Sequence, residues 1–187
     1  MHIKASAEEL GEIEVGWWKA HNEGNKKELL ALLLRQHKLI YSASKLEVLS
    51  AIKHLVKATQ YHDRKDWNLA EKEAATYYSK IKPRSGLNFN PQKAAKLEVG
   101  WWKLHDDLEH EEDKSPLAKN FAQLYAEIFG LKEKSMEQAG KHKAEATRHH
   151  DLAEKPGISQ KEAEEHWEKA EEFLIDFYRE VKKELAN

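Results

Sequence analysis

The octapeptide EVGWWKAH, Glu14–His21, returns almost unchanged as EVGWWKLH, Glu98–His105. The offset between them is 84 residues (105 − 21), and Tyr41 and Tyr125 keep it. Further along, AIKHLVKATQYHD, Ala51–Asp63, aligns with AGKHKAEATRHHD, Ala139–Asp151, at an offset of 88 and with seven of 13 positions identical. The second copy has therefore gained four residues, placed by the alignment in the turn around Gly130. Trp67, Ala70, Glu71 and Tyr78 then match Trp167, Ala170, Glu171 and Tyr178 at an offset of 100. The twelve added residues fall around AEKPGISQKEAE. Three collinear blocks point to a tandem duplication. With a period this long, a fused ancestral dimer fits better than a solenoid of ~20–50-residue repeats.

Local signals make every block helical. Ala, Glu, Lys and Leu are abundant, while Gly (8) and Pro (4) are scarce. Ser6–Glu9, Ser44–Glu47 and Ser159–Glu162 have capping-box spacing. Asn90-Pro91 and Ser115-Pro116 place a cap residue before a first-turn proline. Gly24, Gly130 and Pro156-Gly157 read as stops. The predicted helices are 7–22, 26–42, 45–64 and 67–81 in one copy. In the other they are 91–109, 116–129, 132–154 and 160–185. No stretch alternates with period two long enough for a strand. The expected fold class is all-α: an internally duplicated helical bundle, about four helices per repeat, pseudo-twofold related. Repeat one covers 5–82, a linker 83–90 and repeat two 91–187, with the repeats packing together as one unit.

Composition limits the function classes. Thirty-one basic and 33 acidic residues nearly cancel, giving a net charge of −2 and no electrostatic case for nucleic acid or anionic lipid. The chain has no cysteine, which excludes disulfides, thiolate zinc sites, iron–sulfur clusters and a cysteine nucleophile. The start, Met1–Leu10, carries acidic residues where a signal peptide needs an apolar core. No apolar run approaches the ~20 residues of a membrane span. A soluble cytoplasmic protein is expected, without nucleic-acid or membrane partners but with room for a protein partner or a homo-oligomer.

The repeated polar residues carry the functional reading. Leu10, Ile13, Glu14, Trp17 and His21 recur at steps of three and four and share one helix face, as do Ala94, Leu97, Glu98, Trp101 and His105. A glutamate and a histidine thus lie on a core-facing stripe. Glu14 and His21 are ~10.5 Å apart along the axis, too far to chelate one ion as a pair. Helix three supplies further imidazoles, His54 and His62, mirrored by His142 and His150. The expected metal site per copy joins a helix-one to a helix-three histidine. His21 and His62 form the first, with Glu14 or Asp63 as carboxylate; His105, His150 and Glu98 form the second. Such donors suit a divalent transition metal. His54, His142, Trp17, Trp101, Tyr41 and Tyr125 complete a ligand shell or a core network. Gly16 and Gly100 lie mid-helix, where Gly costs ~1 kcal/mol relative to Ala, and suggest a close backbone neighbour.

Other patterns argue for caution about chemistry. Ferritin-like bundles carry Glu-x-x-His on facing helices, and no histidine here has a glutamate three residues before it. His105–His110 resembles an inverted zinc-protease motif with one residue too many. There is no phosphate loop or nucleophile elbow. Asp63 and Asp151 read equally well as helix-terminus charges, and His37, His110, His149 and His166 have no repeated counterpart. A hydrogen-bonded His–Tyr–Glu network in a non-enzymatic scaffold or protein-interaction module accounts for the same residues.

Overall fold

The computed structural model describes Ile3 and residues 5–187, except for the side chain of Arg84. Eight α-helices fill the described residues: α1 Ala7–Asn22, α2 Lys26–Tyr41, α3 Lys45–Asp63, α4 Trp67–Ser85, α5 Pro91–Leu108, α6 Ser115–Phe129, α7 Glu137–Ala153 and α8 Gln160–Ala186. No strand occurs among them. A single 3-10 turn, Glu133–Met136, precedes α7. Met136 is fully buried there and stands 88 residues (136 − 48) after Val48 of the first turn of α3. The four-residue gain expected around Gly130 falls instead before α6: Gly16 faces Leu32 and Gly100 faces Asn120, already 88 residues on (120 − 32), and the α5–α6 connection is 109–114 where the α1–α2 connection is 23–25. None of these helices is long and apolar enough to cross a membrane.

Caps set most helix starts. Ser44 and Ser159 form complete capping boxes with Glu47 and Glu162. Ser6 accepts from the Glu9 amide, and Asn90 accepts from the Gln92 and Lys93 amides. The helix expected over 132–154 opens as the 3-10 turn and becomes α-helical only at Glu137, and two further boundaries differ from the sequence expectation. Helix α4 runs on to Ser85 with Pro83 inside it, so the first residues of the expected linker are helical. It stops at Gly86, whose φ of 69° suits only a residue without a Cβ penalty. At α6 the N-cap is Lys114 rather than Ser115, and it makes no side-chain cap bond. Its ammonium is committed instead to the carbonyls of Leu108 and Glu109 and to the Asp151 carboxylate.

The helices pack in the spatial order α2–α1–α8–α7–α6–α5–α4–α3. Each of α4 and α8 thus lies between the helix that precedes it in sequence and the first helix of the other half: α4 touches α3 and α5, and α8 touches α7 and α1. Alanines make this closeness possible. Ala51, Ala58, Ala70, Ala74, Ala139, Ala146 and Ala170 are all fully buried. Around them stand Leu10, Val48, Phe89, Val99, Leu124, Leu174 and Phe177, each at most 1 % exposed. Burial of each large apolar side chain of this kind contributes ~1.5–3 kcal/mol.

The close backbone approaches fall elsewhere than expected. A Cβ on Gly16 would meet only the Leu32 side chain, at 3.2 Å, and one on Gly100 only the Asn120 amide, at 2.9 Å. At Gly140 it would lie 2.3 Å from the Ala118 carbonyl oxygen, and at Gly11 3.0 Å from the Ile175 nitrogen. The intimate crossings are therefore α6 on α7 and α1 on α8.

Candidate metal centre

The conserved spacing of the octapeptides puts Glu14 and Glu98 at the centre of the bundle. Glu14, 4 % exposed, forms an ion pair with Lys143 of α7 and accepts from the Tyr178 hydroxyl at 2.6 Å and Gln36 at 3.4 Å. Gln36 also accepts the Trp17 indole N–H at 3.1 Å. Glu98 accepts from the Tyr78 hydroxyl at 2.8 Å and from Trp101. Burial raises the Glu98 carboxyl above its ordinary range, more than these donors lower it. The hydroxyls of Tyr41 and Tyr125 are also pushed up, first by burial and then by these two carboxylates. Tyr125 packs 4.6 Å from the Phe177 ring. Both glutamates are thus consumed by tyrosine, lysine and indole partners, and neither joins a histidine cluster.

The helix-three histidines lie between tryptophans. His62 sits 5.3 Å from Trp67 and 5.6 Å from Trp102. His150 sits 5.4 Å from Trp167 and 5.3 Å from Trp18. Their outer partners come from the first helix of the opposite half: Asp106 lies 3.1 Å from His62 Nε2, and Asn22 lies 3.0 Å from His150 Nε2. The Asp106 contact is close enough for ion pairing but falls short of hydrogen-bond geometry, so His62 Nε2 has no hydrogen-bond partner. Asp63 stands 3.6 Å from the other ring nitrogen and is itself 74 % exposed. His21, on the last turn of α1, is exposed. The first-half site expected from His21, His62 and Glu14 is therefore not assembled. The last turn of α3 faces α5, and Glu14 points into the core.

In the second half two of the three expected donors do converge. His105 of α5 and His150 of α7 meet, and the carboxylate between them is Asp151 rather than Glu98. His105 Nε2 is 2.7 Å and His150 Nδ1 3.2 Å from the same oxygen, Asp151 Oδ1. One donor atom from each residue lies within 4.8 Å of the others, and no other such trio of histidine, aspartate or glutamate occurs among the described residues. Lys114 Nζ approaches the second carboxylate oxygen at 3.4 Å and is only 3 % exposed. Burial would raise the Asp151 carboxyl, but the bonds from His105 and His150 outweigh it and hold it far below its usual range. Burial likewise opposes charge on His105, yet the Asp151 hydrogen bond and charge leave its imidazole above its ordinary value.

The donor set fits a transition ion. Metal–nitrogen and metal–oxygen bonds of ~2.0–2.2 Å require ligands ~3–3.4 Å apart; His150 Nδ1 already stands 3.2 Å from Asp151 Oδ1, and His105 Nε2, at a hydrogen-bond distance of 2.7 Å, has to draw back slightly. If His150 ligates through Nδ1, its Nε2–H can donate to the Asn22 side-chain oxygen, since the amide can take either orientation. Against the ion stand the proton on His105 and the ammonium of Lys114. Neither lysine nor asparagine is legible from the repeat: Lys114 belongs to the longer α5–α6 connection, 109–114 against 23–25, and the position aligned with Asn22 is Asp106.

The remaining histidines have structural partners. His54 Nδ1 meets Glu73 of α4 at 2.6 Å, and His142 stands 3.0 Å from Gln138 and packs beside Phe173. His37 is buried, with Nδ1 donating to the Leu33 carbonyl at 2.7 Å and Nε2 accepting the Tyr77 hydroxyl at 2.7 Å. Burial depresses its pKa from 6.5 to about 4. An unfolded chain protonates this residue below pH 6.5, whereas the folded one resists until about 4. Stability is therefore lost as pH falls through that window, by about 3 kcal/mol if fully expressed. Denaturant titrations at pH 7 and 4.5 should show this loss, and a His37→Phe/Tyr77→Phe protein should show a smaller one. An equal loss in both proteins would contradict the assignment.

No family model matches the chain, and no curated protein or solved structure matches it.

Proposed function

We propose that the chain is a non-enzymatic, metal-binding helical bundle that holds one divalent transition ion between His105, His150 and Asp151. The observation that carries this reading is the convergence of two imidazoles and an ionised carboxylate on one point, with Asn22 as an outer partner. Binding displaces the His105 proton and moves Lys114 off Asp151, so affinity falls with acid, by about tenfold per pH unit where one proton is exchanged.

The same reading takes the chain as a tandem duplication with halves related by a pseudo-twofold axis. Paired contacts support it. Tyr78 donates to Glu98 and Tyr178 to Glu14. Lys103 lies over Trp67 and Lys19 over Trp167, at 4.6 and 5.5 Å. On this view the ancestral subunit had one centre per copy, and the longer connection between α5 and α6, which carries Lys114, made the two ends unlike.

A second reading is favoured by Lys114 itself. Its ammonium neutralises Asp151 without an ion, so the cluster serves as a clamp joining α5, α6 and α7 in a scaffold. Zinc titration by calorimetry separates the two. Metal binding predicts one saturable ion, weakened ~100-fold or more by His105→Ala or Asp151→Asn and unchanged by His21→Ala. The clamp reading predicts no saturable binding and a lower melting temperature for Asp151→Asn. Equal losses from His21→Ala and His105→Ala would overturn the single-site proposal.

A further inference from the structure

A different cluster carries an inference independent of the His105 centre. His149 of α7 and His166 of α8 face each other, with their Nδ1 atoms 2.9 Å apart and ring centroids 5.1 Å apart. They are 17 residues apart in sequence, across the α7–α8 turn. His149 is 7 % exposed and lies flat on the Phe173 ring, at 5.6 Å and 20°, which fixes its imidazole toward His166. Each histidine has a glutamate one helical turn before it, Glu145 and Glu162, and each carboxylate is near enough to act electrostatically on its imidazole. The two imidazoles meet at one point, while Glu145 is held by Arg148 and neither carboxylate joins them as a third close donor. Glu162 spends one oxygen, Oε2, on the Ser159 cap. A cleft of about 500 Å³ bordered by Pro156, Gly157, Ile158, Glu162 and His166 opens beside the pair.

We propose that His149 and His166 form a second metal site, selective for ions that take ligands at right angles, such as Ni²⁺ or Cu²⁺, with water from the cleft completing the shell. Two nitrogens bound at ~2.0–2.1 Å and at right angles to each other stand ~2.9 Å apart, whereas a tetrahedral ion spreads them to ~3.4 Å. The separation in this protein matches the first geometry. The two Nδ1 atoms share one hydrogen bond, so an entering ion displaces the single proton between them and takes both lone pairs. The cleft supplies the route for ion and water.

The test uses the full chain carrying His105→Ala and His150→Ala, so that the first centre is removed. This protein should still bind one Ni²⁺, with the imidazole proton signals of His149 and His166 broadening together. Adding His166→Ala, a change at a partly exposed position on α8, should weaken that binding about tenfold or more and leave the melting temperature within about 2 °C. Zn²⁺ should bind this pair more weakly than Ni²⁺. Absence of Ni²⁺ binding in the double variant, unchanged affinity on adding His166→Ala, or broadening centred on other histidines would each overturn the proposal.

Discussion

Replacing Lys143 by methionine should destabilise the protein by about 3–5 kcal/mol, among the largest effects available to a single substitution. Lys143 and Glu14 are each about 4–6 % exposed in the side chain and pair with each other across α7 and α1. The ammonium also lies 5.0 Å from the Trp18 ring and 5.2 Å from the Phe177 ring. Desolvation depresses the Lys143 pKa, and the Glu14 charge offsets only part of that effect. Removing the lysine leaves a carboxylate in the core with only neutral donors, Tyr178 and Gln36. That unpaired charge in a dry surrounding is the source of the penalty. A Glu14→Gln/Lys143→Met double variant should recover most of the loss, because the buried charge disappears with its partner. Urea titrations of the wild type and these two variants measure this directly. A loss under 1 kcal/mol for Lys143→Met, or no recovery in the double variant, would show that Glu14 finds compensation elsewhere.

Gly140→Ala should be nearly as damaging, at about 3 kcal/mol. In an open helix position the same change would stabilise by ~1 kcal/mol. Here the new Cβ would lie 2.3 Å from the Ala118 carbonyl oxygen and 2.9 Å from the Ala122 nitrogen. Those atoms are backbone and cannot rotate aside, so α6 and α7 must separate. That separation would also disturb the His105 centre, since Lys114 caps α6 and Asp151 ends α7. Gly16→Ala is the internal control. It meets only the tip of Leu32, at 3.2 Å, and should fall within about 1 kcal/mol of wild type. Thermal melts of the two variants should therefore differ by several degrees. Equal melting temperatures would mean that the α6–α7 crossing is looser than its geometry implies.

Much of the fold is readable from local chemistry. Ser44, Ser159 and Asn90 mark helix starts because a side-chain oxygen beside unpaired amides is a local device, set within three residues. The four-residue register shift is legible too, but not its place: the tyrosines Tyr41 and Tyr125 put it around Gly130, whereas the longer connection stands between α5 and α6. What the repeat cannot reveal is partnership across the bundle. Glu14 reads as a ligand candidate because its stripe faces inward, but its lysine comes from α7, where the aligned first-half residue is Leu55. Lys114 is hidden because it stands in the α5–α6 connection, 109–114, which is longer than its first-half counterpart, 23–25. His149 and His166 have no counterparts in the first half, so a comparison of the halves passes over them, although they stand in contact. The histidines that repeat are legible; the cations and imidazoles that break the repeat set the electrostatics.

The most direct measurement is anomalous diffraction from a crystal soaked in Zn²⁺. The account predicts one strong peak coordinated by His105, His150 and Asp151, with the Lys114 ammonium withdrawn from the carboxylate. A map with no peak there, Lys114 still on Asp151 and the His105–Asp151 hydrogen bond intact would contradict it and leave the cluster as a clamp.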